Sequence, residues 1–565
     1  MEIMKARDAF PLKAPAAPDP TENQNDFDVY HYILDIAFND STSHVAGTVT
    51  VSLTSLVPSL ATVDINADPV LIIDDIRGEG MGSLGYSRSG DVVTIGLAYP
   101  IAEGDSLDLE IDYGGRPENA ANDGLYFSKH NNLPMIYSLS EPWSARTWWP
   151  CKDYPTDKAT FDIFFSVPDY IIAASNGDYL GYTSVTRWNR PFKKYQWKEN
   201  YPMTTYLASI SAADYVIQEE YWEYAPGDSM LIQNFVTRDK QTAALEDLNI
   251  AIPALDFLSS IYGLYPFVEE KYGVALSHIG GGMEHQTLTS YGTWLVDGNH
   301  TFDWIYVHEL GHQWFGDCIS PEDWEHIWLN EGWASYTEAL WEEHLGGSSG
   351  LQAWMASQSD PQNWEGPILR DPDNSNPWYY FNSVVYDKAS WVIHMFRHVA
   401  GDSTFFAMIP AYTSDPRYRH SDINTGEFIQ LCEDHYGGEL DWFFDPWLTR
   451  VGRPSYEWSW DCYSSGSDTL LSIGVTQTQN LPYTMPVDFR INTTSGVIDT
   501  VLWIAEKEES FLIPVQRSVW DVEFDPDQWI LCYKSEIVTD TETPEMYIAS
   551  LEQNFPNPFN PSTRI

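Results

Sequence analysis

Basic side chains are scarce in this 565-residue chain: 30 Lys and Arg stand against 82 Asp and Glu, a formal net charge of −52 at pH 7. A field of that sign repels phosphate backbones and anionic lipid, which argues against nucleic acid as a partner. Cysteine is also rare. The five (Cys151, Cys318, Cys432, Cys462 and Cys532) show no CxxC spacing, so neither a cysteine zinc site nor a dithiol redox motif has support. Cys462 and Cys532 flank one C-terminal segment, and the odd total of five leaves open whether these two pair in an oxidising compartment. No apolar run reaches the roughly 18 residues of a membrane span. The opening MEIMKARDAFPLKAPAAPDP lacks the apolar core of a signal peptide and reads as a flexible leader over residues 1–26. No fixed-period repeat is visible.

What the chain has in abundance is aromatic and apolar side chains, 15% and 43% of its residues. That is the composition of folded domains, and the length allows about three or four. Short alternating segments such as YHYILDIAF, AGTVTVSL and DSLDLEIDY, split by turn residues, predict a β-rich domain over 27–215. From 216 to 454 longer stretches at helical spacing take over, among them TFDWIYVHELGHQWFG and EGWASYTEALWEEHLG, several ending at Gly. Strand patterns return over 455–537 (LLSIGVTQTQ, PVDFRINT, DTVLWIAE), enough for a small β-sandwich, and a linker composition follows over 538–565.

The chemistry concentrates in HELGH. His308 and His312 are four residues apart, so on a helix their imidazoles project from one face and converge on one cation. Glu309 lies about 100° around that helix. There it sits beside a metal without being a ligand, placed to take a proton from water. A catalytic tetrahedral zinc needs a third protein ligand and an open position. WLNEGWASYTEAL supplies Glu331, eighteen residues intervening after His312. The alternative with a third histidine fails, because Cys318 stands where it is needed. Glu338, two turns beyond Glu331, faces the same way, either orienting a histidine or standing as a solvated carboxylate.

HELGHQWFGD followed by WLNEGWASYTE resembles the zinc aminopeptidases related to aminopeptidase N and leukotriene hydrolase. Upstream, GGGMEHQT resembles that family's exopeptidase motif, Gly-x-Met-Glu-Asn, with Gly281, Met283 and Glu284 in place and His285 where the family usually has Asn. SEPWSARTWWPCKDYPTDKATF resembles the family segment whose acid grips the substrate amine, which maps to Glu141, and YDKASWVIHMFR the helix carrying a catalytic tyrosine, Tyr386. The resemblance runs from Glu141 to Arg397. It implies a multidomain α+β fold: an N-terminal β-rich saddle domain, a thermolysin-like α/β catalytic domain and the small β-sandwich. It also implies one catalytic Zn2+ on His308, His312 and Glu331. Glu309 is then the general base, and Tyr386 donates to the tetrahedral oxyanion.

Glu141 and Glu284 would act as a ruler: two close carboxylates repel each other, and a protonated α-amine relieves that repulsion with charge-assisted hydrogen bonds. Gly281, Gly282 and Met283 would meet the substrate backbone. Lys388 and Arg146 read as structural. The activity so implied is removal of N-terminal residues from peptides with a free amine. Two rivals stand beside it: an epoxide hydrolase of leukotriene hydrolase type, and a surface peptide-binding module without catalysis.

The closing LEQNFPNPFNPSTRI resembles the opening of C-terminal sorting domains carried by proteins exported through the type IX route. From that resemblance we expect the natural protein to continue past Ile565, to meet the export machinery through that domain, and to work secreted or at the cell surface.

Overall fold

The computed structural model describes residues 20–120, 124–359, 364, 366–370, 380–465, 468–515 and 517–538. By compactness the chain divides into two units: 1–341 with 371–386 and 409–424, and 342–370 with 387–408 and 425–565. This division differs from the three domains read from the sequence pattern. The first unit gathers the expected β domain with the site-bearing part of the catalytic region.

The first unit opens on an eight-stranded sheet in the order Asp178–Arg187, Arg190–Met203, Ala159–Pro168, Phe27–Asn39, His44–Ser55, Ser106–Gly115, Leu71–Gly78, Gly82–Ser83. Its central strand FDVYHYILDIAFN alternates so that Phe27, Val29, Tyr32, Leu34 and Ile36 are buried, with a bulge between Val29 and His31 resetting the alternation. The leader expected over 1–26 gives way before Phe27. Glu22–Asn25 form a capped turn, and Thr21 Oγ1 donates to Asp64 Oδ2 at 2.7 Å while Gln24 Nε2 donates to Asn66 Oδ1 at 2.8 Å. These side-chain bonds dock the segment on the following strands. Arg146 is structural as expected, held by Asp153 at 2.8 Å and Asp91 at 2.7 Å.

The same unit carries a six-stranded mixed sheet: Tyr215–Ala225, Asp228–Thr237, Val274–Ser277, Thr289–Gly292 and Gly282–Met283 in order, with Lys271–Tyr272 paired beside the second. The short edge strand Gly282–Met283 runs antiparallel to Thr289–Gly292. Helices Ala251–Tyr262 and Asp303–His312 belong to it, as does the first part of the long helix Trp328–Ser357, which kinks at Gly347.

In the second unit, two sheets form the expected sandwich. One runs Glu508–Val515, Asp468–Gln477, Ser455–Ser465, Tyr533–Glu536; the other runs Gly496–Ile504, Met485–Thr493, Val519–Phe524. Tyr456, Trp458, Phe489 and Phe524 pack between them in tilted and edge-to-face pairs, ring centroids 5.1–6.0 Å apart. Helix Asp441–Thr449 joins this unit because Trp447 buries against Tyr483, centroids 4.7 Å apart, and donates to Met485 Sδ at 3.3 Å. Lys388 is structural here too, its Nζ donating to the Arg450 carbonyl at 2.6 Å, and burial lowers its ammonium to about 7. All five cysteines are free thiols. Among the described residues no helix is long and apolar enough to cross a membrane. The sorting-domain resemblance at 551–565 lies outside the described residues.

Candidate metal centre and peptide site

HELGH lies on the last turns of helix Asp303–His312, and Glu331 on the first turn of Trp328–Ser357. The two helices approach closely because residue 311 has no side chain: a methyl group there would meet Thr337 Oγ1 at 2.8 Å. Thr337 in turn donates to the Trp333 carbonyl at 2.8 Å and bonds the Tyr262 hydroxyl, also at 2.8 Å.

This approach brings three ligand atoms together. His308 Nε2 and His312 Nε2 are 3.1 Å apart, and Glu331 Oε2 stands 3.4 Å and 3.3 Å from them. Ligands placed tetrahedrally at the usual zinc bond lengths are separated by about 3.3 Å. All three residues are buried. The other ring nitrogens are committed. His312 Nδ1 faces the Phe315 carbonyl at 3.1 Å and His308 Nδ1 faces Glu338 Oε1 at 2.6 Å, so both carry their proton on Nδ1. With both Nδ1 atoms so committed, the two Nε2 atoms and a carboxylate oxygen converge on one point, and the Nε2 lone pairs are free for a cation once the imidazoles are neutral. A divalent cation resolves that arrangement, and two His with one Glu suit zinc.

The electrostatics agree. Burial opposes charge on the imidazoles, yet hydrogen bonds to Glu331 and Glu338 raise His308 to about 9. Burial likewise opposes charge on His312, but Glu284, Glu331 and Glu309 raise it well above its ordinary value. The pocket is rich in negative charge and short of cations. Glu338 is thus no solvated acid; it is buried and orients His308.

Glu309 is buried against the edge strand: a methyl group on Gly282 would collide with its carboxylate. The GGGME segment therefore lies directly over the proposed base, which only glycine at 282 permits. Glu284 is buried, and its Oε1 has no hydrogen-bond partner among the described residues. Tyr386 lies in a single π turn, Val384–Lys388, a helix irregularity frequent at functional sites. Its hydroxyl donates to Glu331 Oε1 at 2.7 Å and its ring stacks on His308 at 6.2 Å. His285 is fully buried, its Nδ1 2.9 Å from Ser290 Oγ, and burial lowers it to about 3, so a neutral ring stands where the motif has an amide.

Two matching models now place the chain: the peptidase family M1 N-terminal domain over residues 29–207 and the peptidase family M1 domain over 246–447. The chain belongs to peptidase family M1. Among its relatives, aminopeptidase M1-B of Oryza sativa subsp. japonica is 25% identical over 390 residues, 64% of this chain and 43% of the relative. The chain thus spans less than half the length of that protein. A leukotriene A-4 hydrolase homolog of Botryotinia fuckeliana is 22% identical over 476 residues, covering 79% and 72%. An M1 zinc metallopeptidase of Deinococcus radiodurans, solved with a Tyr-Ser-Ala substrate, shares the fold at a TM-score of 0.65 with 22% identity, covering 77% of this chain and 96% of that one.

In this M1 chain His308 and His312 share one helix face and Glu331 and Glu338 come from the next helix, and the structure brings the four side chains together. Glu141 enters more indirectly. Tyr206 is buried, and its hydroxyl is pushed up by burial and then by the charges of Glu284, Glu141, Asp317 and Glu331, so all four acids act electrostatically on the same phenol. Sequence reasoning missed Tyr206, whose stretch NYPMTTYLAS has no pattern to mark it. It also left Gln313 and Asp317 without a role, although both stand inside HELGHQWFGD.

Proposed function

We infer that this M1 peptidase is a zinc aminopeptidase that hydrolyses the first peptide bond of peptides with a free amino terminus. The observation that carries this reading is the convergence of His308 Nε2, His312 Nε2 and Glu331 Oε2 within 3.1–3.4 Å, together with a buried Glu284 oxygen that has no hydrogen-bond partner among the described residues.

His308, His312 and Glu331 would hold one zinc ion. When bound, that ion supplies Lewis-acid polarisation and lowers the pKa of water. Glu309 takes the proton of the attacking water and passes it to the departing amine nitrogen, the general-base and general-acid halves of one step. Tyr386 turns its O–H from Glu331 to the oxyanion that develops on the carbonyl. Glu284 and Glu141 bind the α-ammonium, and Gly281, Gly282 and Met283 run beside the substrate backbone. Internal peptide bonds have no charge to offer the two acids, so the first bond is the one presented.

A panel of amino-acid anilides with and without a chelator tests this reading. Cleavage that the chelator abolishes and zinc restores is expected, with N-acetylation blocking it. Equal cleavage of acetylated peptides would overturn the exopeptidase assignment, and turnover of an epoxide lipid without anilide cleavage would favour the leukotriene hydrolase rival.

The site of action is part of the proposal: outside the producing cell, reached by a type IX-like sorting domain beginning near Leu551. Its support is the Asn-Pro-rich run NFPNPFNPSTRI and the acidic composition. Fractionation of the native organism tests it, and recovery from the cytoplasm alone would refute it.

A further inference from the structure

Gln313 sits between the HELGH helix and the 281–287 loop with every hydrogen-bonding capacity of its amide in use. Its Oε1 accepts from the Thr287 backbone N–H and the Tyr265 hydroxyl, each at 3.0 Å. Its Nε2 donates to the Glu284 carbonyl at 3.0 Å and to Asp317 Oδ2 at 2.6 Å. The side chain is fully buried. Gln313 directly follows His312, so one residue is joined covalently to a metal ligand and through its amide to the peptide group of Glu284.

We propose that Gln313 is a positioning residue that sets the separation between the metal and the amine-binding Glu284, and with it the gap into which an α-amine and the first peptide bond must fit. The proposal rests on the reading of Glu284 as the amine's partner.

A second observation points the same way. Thr287 holds a left-handed backbone, φ +64°, which is unfavourable for a residue with a side chain and persists only where the surroundings over-determine it. The Gln313 amide holds its N–H, the Gly177 N–H donates to its hydroxyl at 2.8 Å, and Lys271 Nζ reaches that hydroxyl at 3.3 Å. The loop carrying Glu284 is therefore forced into one conformation from the helix side and from behind. The primary amide is specific to the task. A carboxylate at 313 has no donor for the Glu284 carbonyl and would add a charge beside Asp317, whose carboxyl burial and Glu284 already push well up.

Calorimetric binding of two zinc-directed ligands, L-leucine hydroxamate and its des-amino counterpart, tests this on the zinc-loaded protein. The ratio of their dissociation constants reports how well the amine site is set against the metal. In Gln313→Glu the ratio is expected to shrink about tenfold, the loss of one charge-assisted contact. Affinity for the des-amino compound should stay within about twofold. Adding Asp317→Asn restores a donor and acceptor between positions 313 and 317 but not the bond to Glu284. It should recover melting temperature and leave the ratio low. Tyr265→Phe removes one of the two donors to Oε1 and should lower the ratio about threefold, which keeps the test open if the first variant does not fold. An unchanged ratio in the folded variants, or equal loss for both ligands, would overturn the proposal. Wild-type protein that fails to distinguish the two ligands would instead remove the amine-site reading itself.

Discussion

Glu338 Oε1 lies 2.6 Å from His308 Nδ1, both side chains buried, and this contact fixes which way the histidine points its free lone pair. Removing such an oriented acid behind a metal-bound histidine lowers metal affinity about 10–100-fold. Glu338→Gln keeps an acceptor without the charge and should fall at the low end; Glu338→Ala should fall at the high end. Competition against a chromogenic chelator measures both.

Tyr386→Phe removes the O–H that stands on Glu331 in the resting site. Loss of an oxyanion donor costs about two to three orders of magnitude in kcat. Zinc content should remain at the wild-type level, because the phenol is not a ligand. Parallel kinetics and elemental analysis separate the two effects.

Gly282→Ala and Gly311→Ala probe the two close approaches. The first drives a methyl group into Glu309 and should abolish turnover with only a modest drop in melting temperature, since the strand lies at a sheet edge. The second forces apart the helices that carry the ligands, an overpacking cost of about 1–3 kcal/mol, and should weaken zinc binding as well. Denaturant melts with and without zinc distinguish them.

His285 gives a pH dependence with a definite sign. Burial holds its folded pKa at about 3, below the ordinary 6.5, so between those values the unfolded chain takes up a proton that the folded chain refuses. Stability is intact above pH 6.5 and is lost as pH falls toward 3, by at most about 1.4 kcal/mol per pH unit from this group. His285→Asn should lose less stability than wild type between pH 6 and pH 4. Chemical unfolding at stepped pH checks it.

The proposed histidine ligands were legible because helical period is local: a four-residue spacing brings His308 and His312 to one face whatever surrounds them. Glu331 came from the need for a third ligand and from the resemblance of WLNEGWASYTE, and helical period then put Glu338 on the same face as Glu331. The strand alternation of Phe27–Asn39 was equally plain. Contacts between segments were not legible. Nothing in HELGHQWFGD says that the Gln313 amide meets Glu284 and Thr287 some 26–29 residues upstream, or that Glu309 rests on Gly282. The π turn under Tyr386 leaves no periodic trace, because one extra residue in a helix looks like ordinary spacing. The grouping of the helices after Trp341 with the sandwich depends on which apolar faces meet, as Trp447 meets Tyr483 and Met485.

Elemental analysis of the purified chain and of its Glu331→Ala variant, after dialysis against a weak chelator, is the most direct test of the three-ligand centre. One zinc per wild-type chain and less than about a tenth of that in the variant are expected, as a tetrahedral site reduced to two protein ligands loses its ion. Wild-type protein that binds no zinc when the metal is supplied, or a variant that retains it in full, would contradict the assignment.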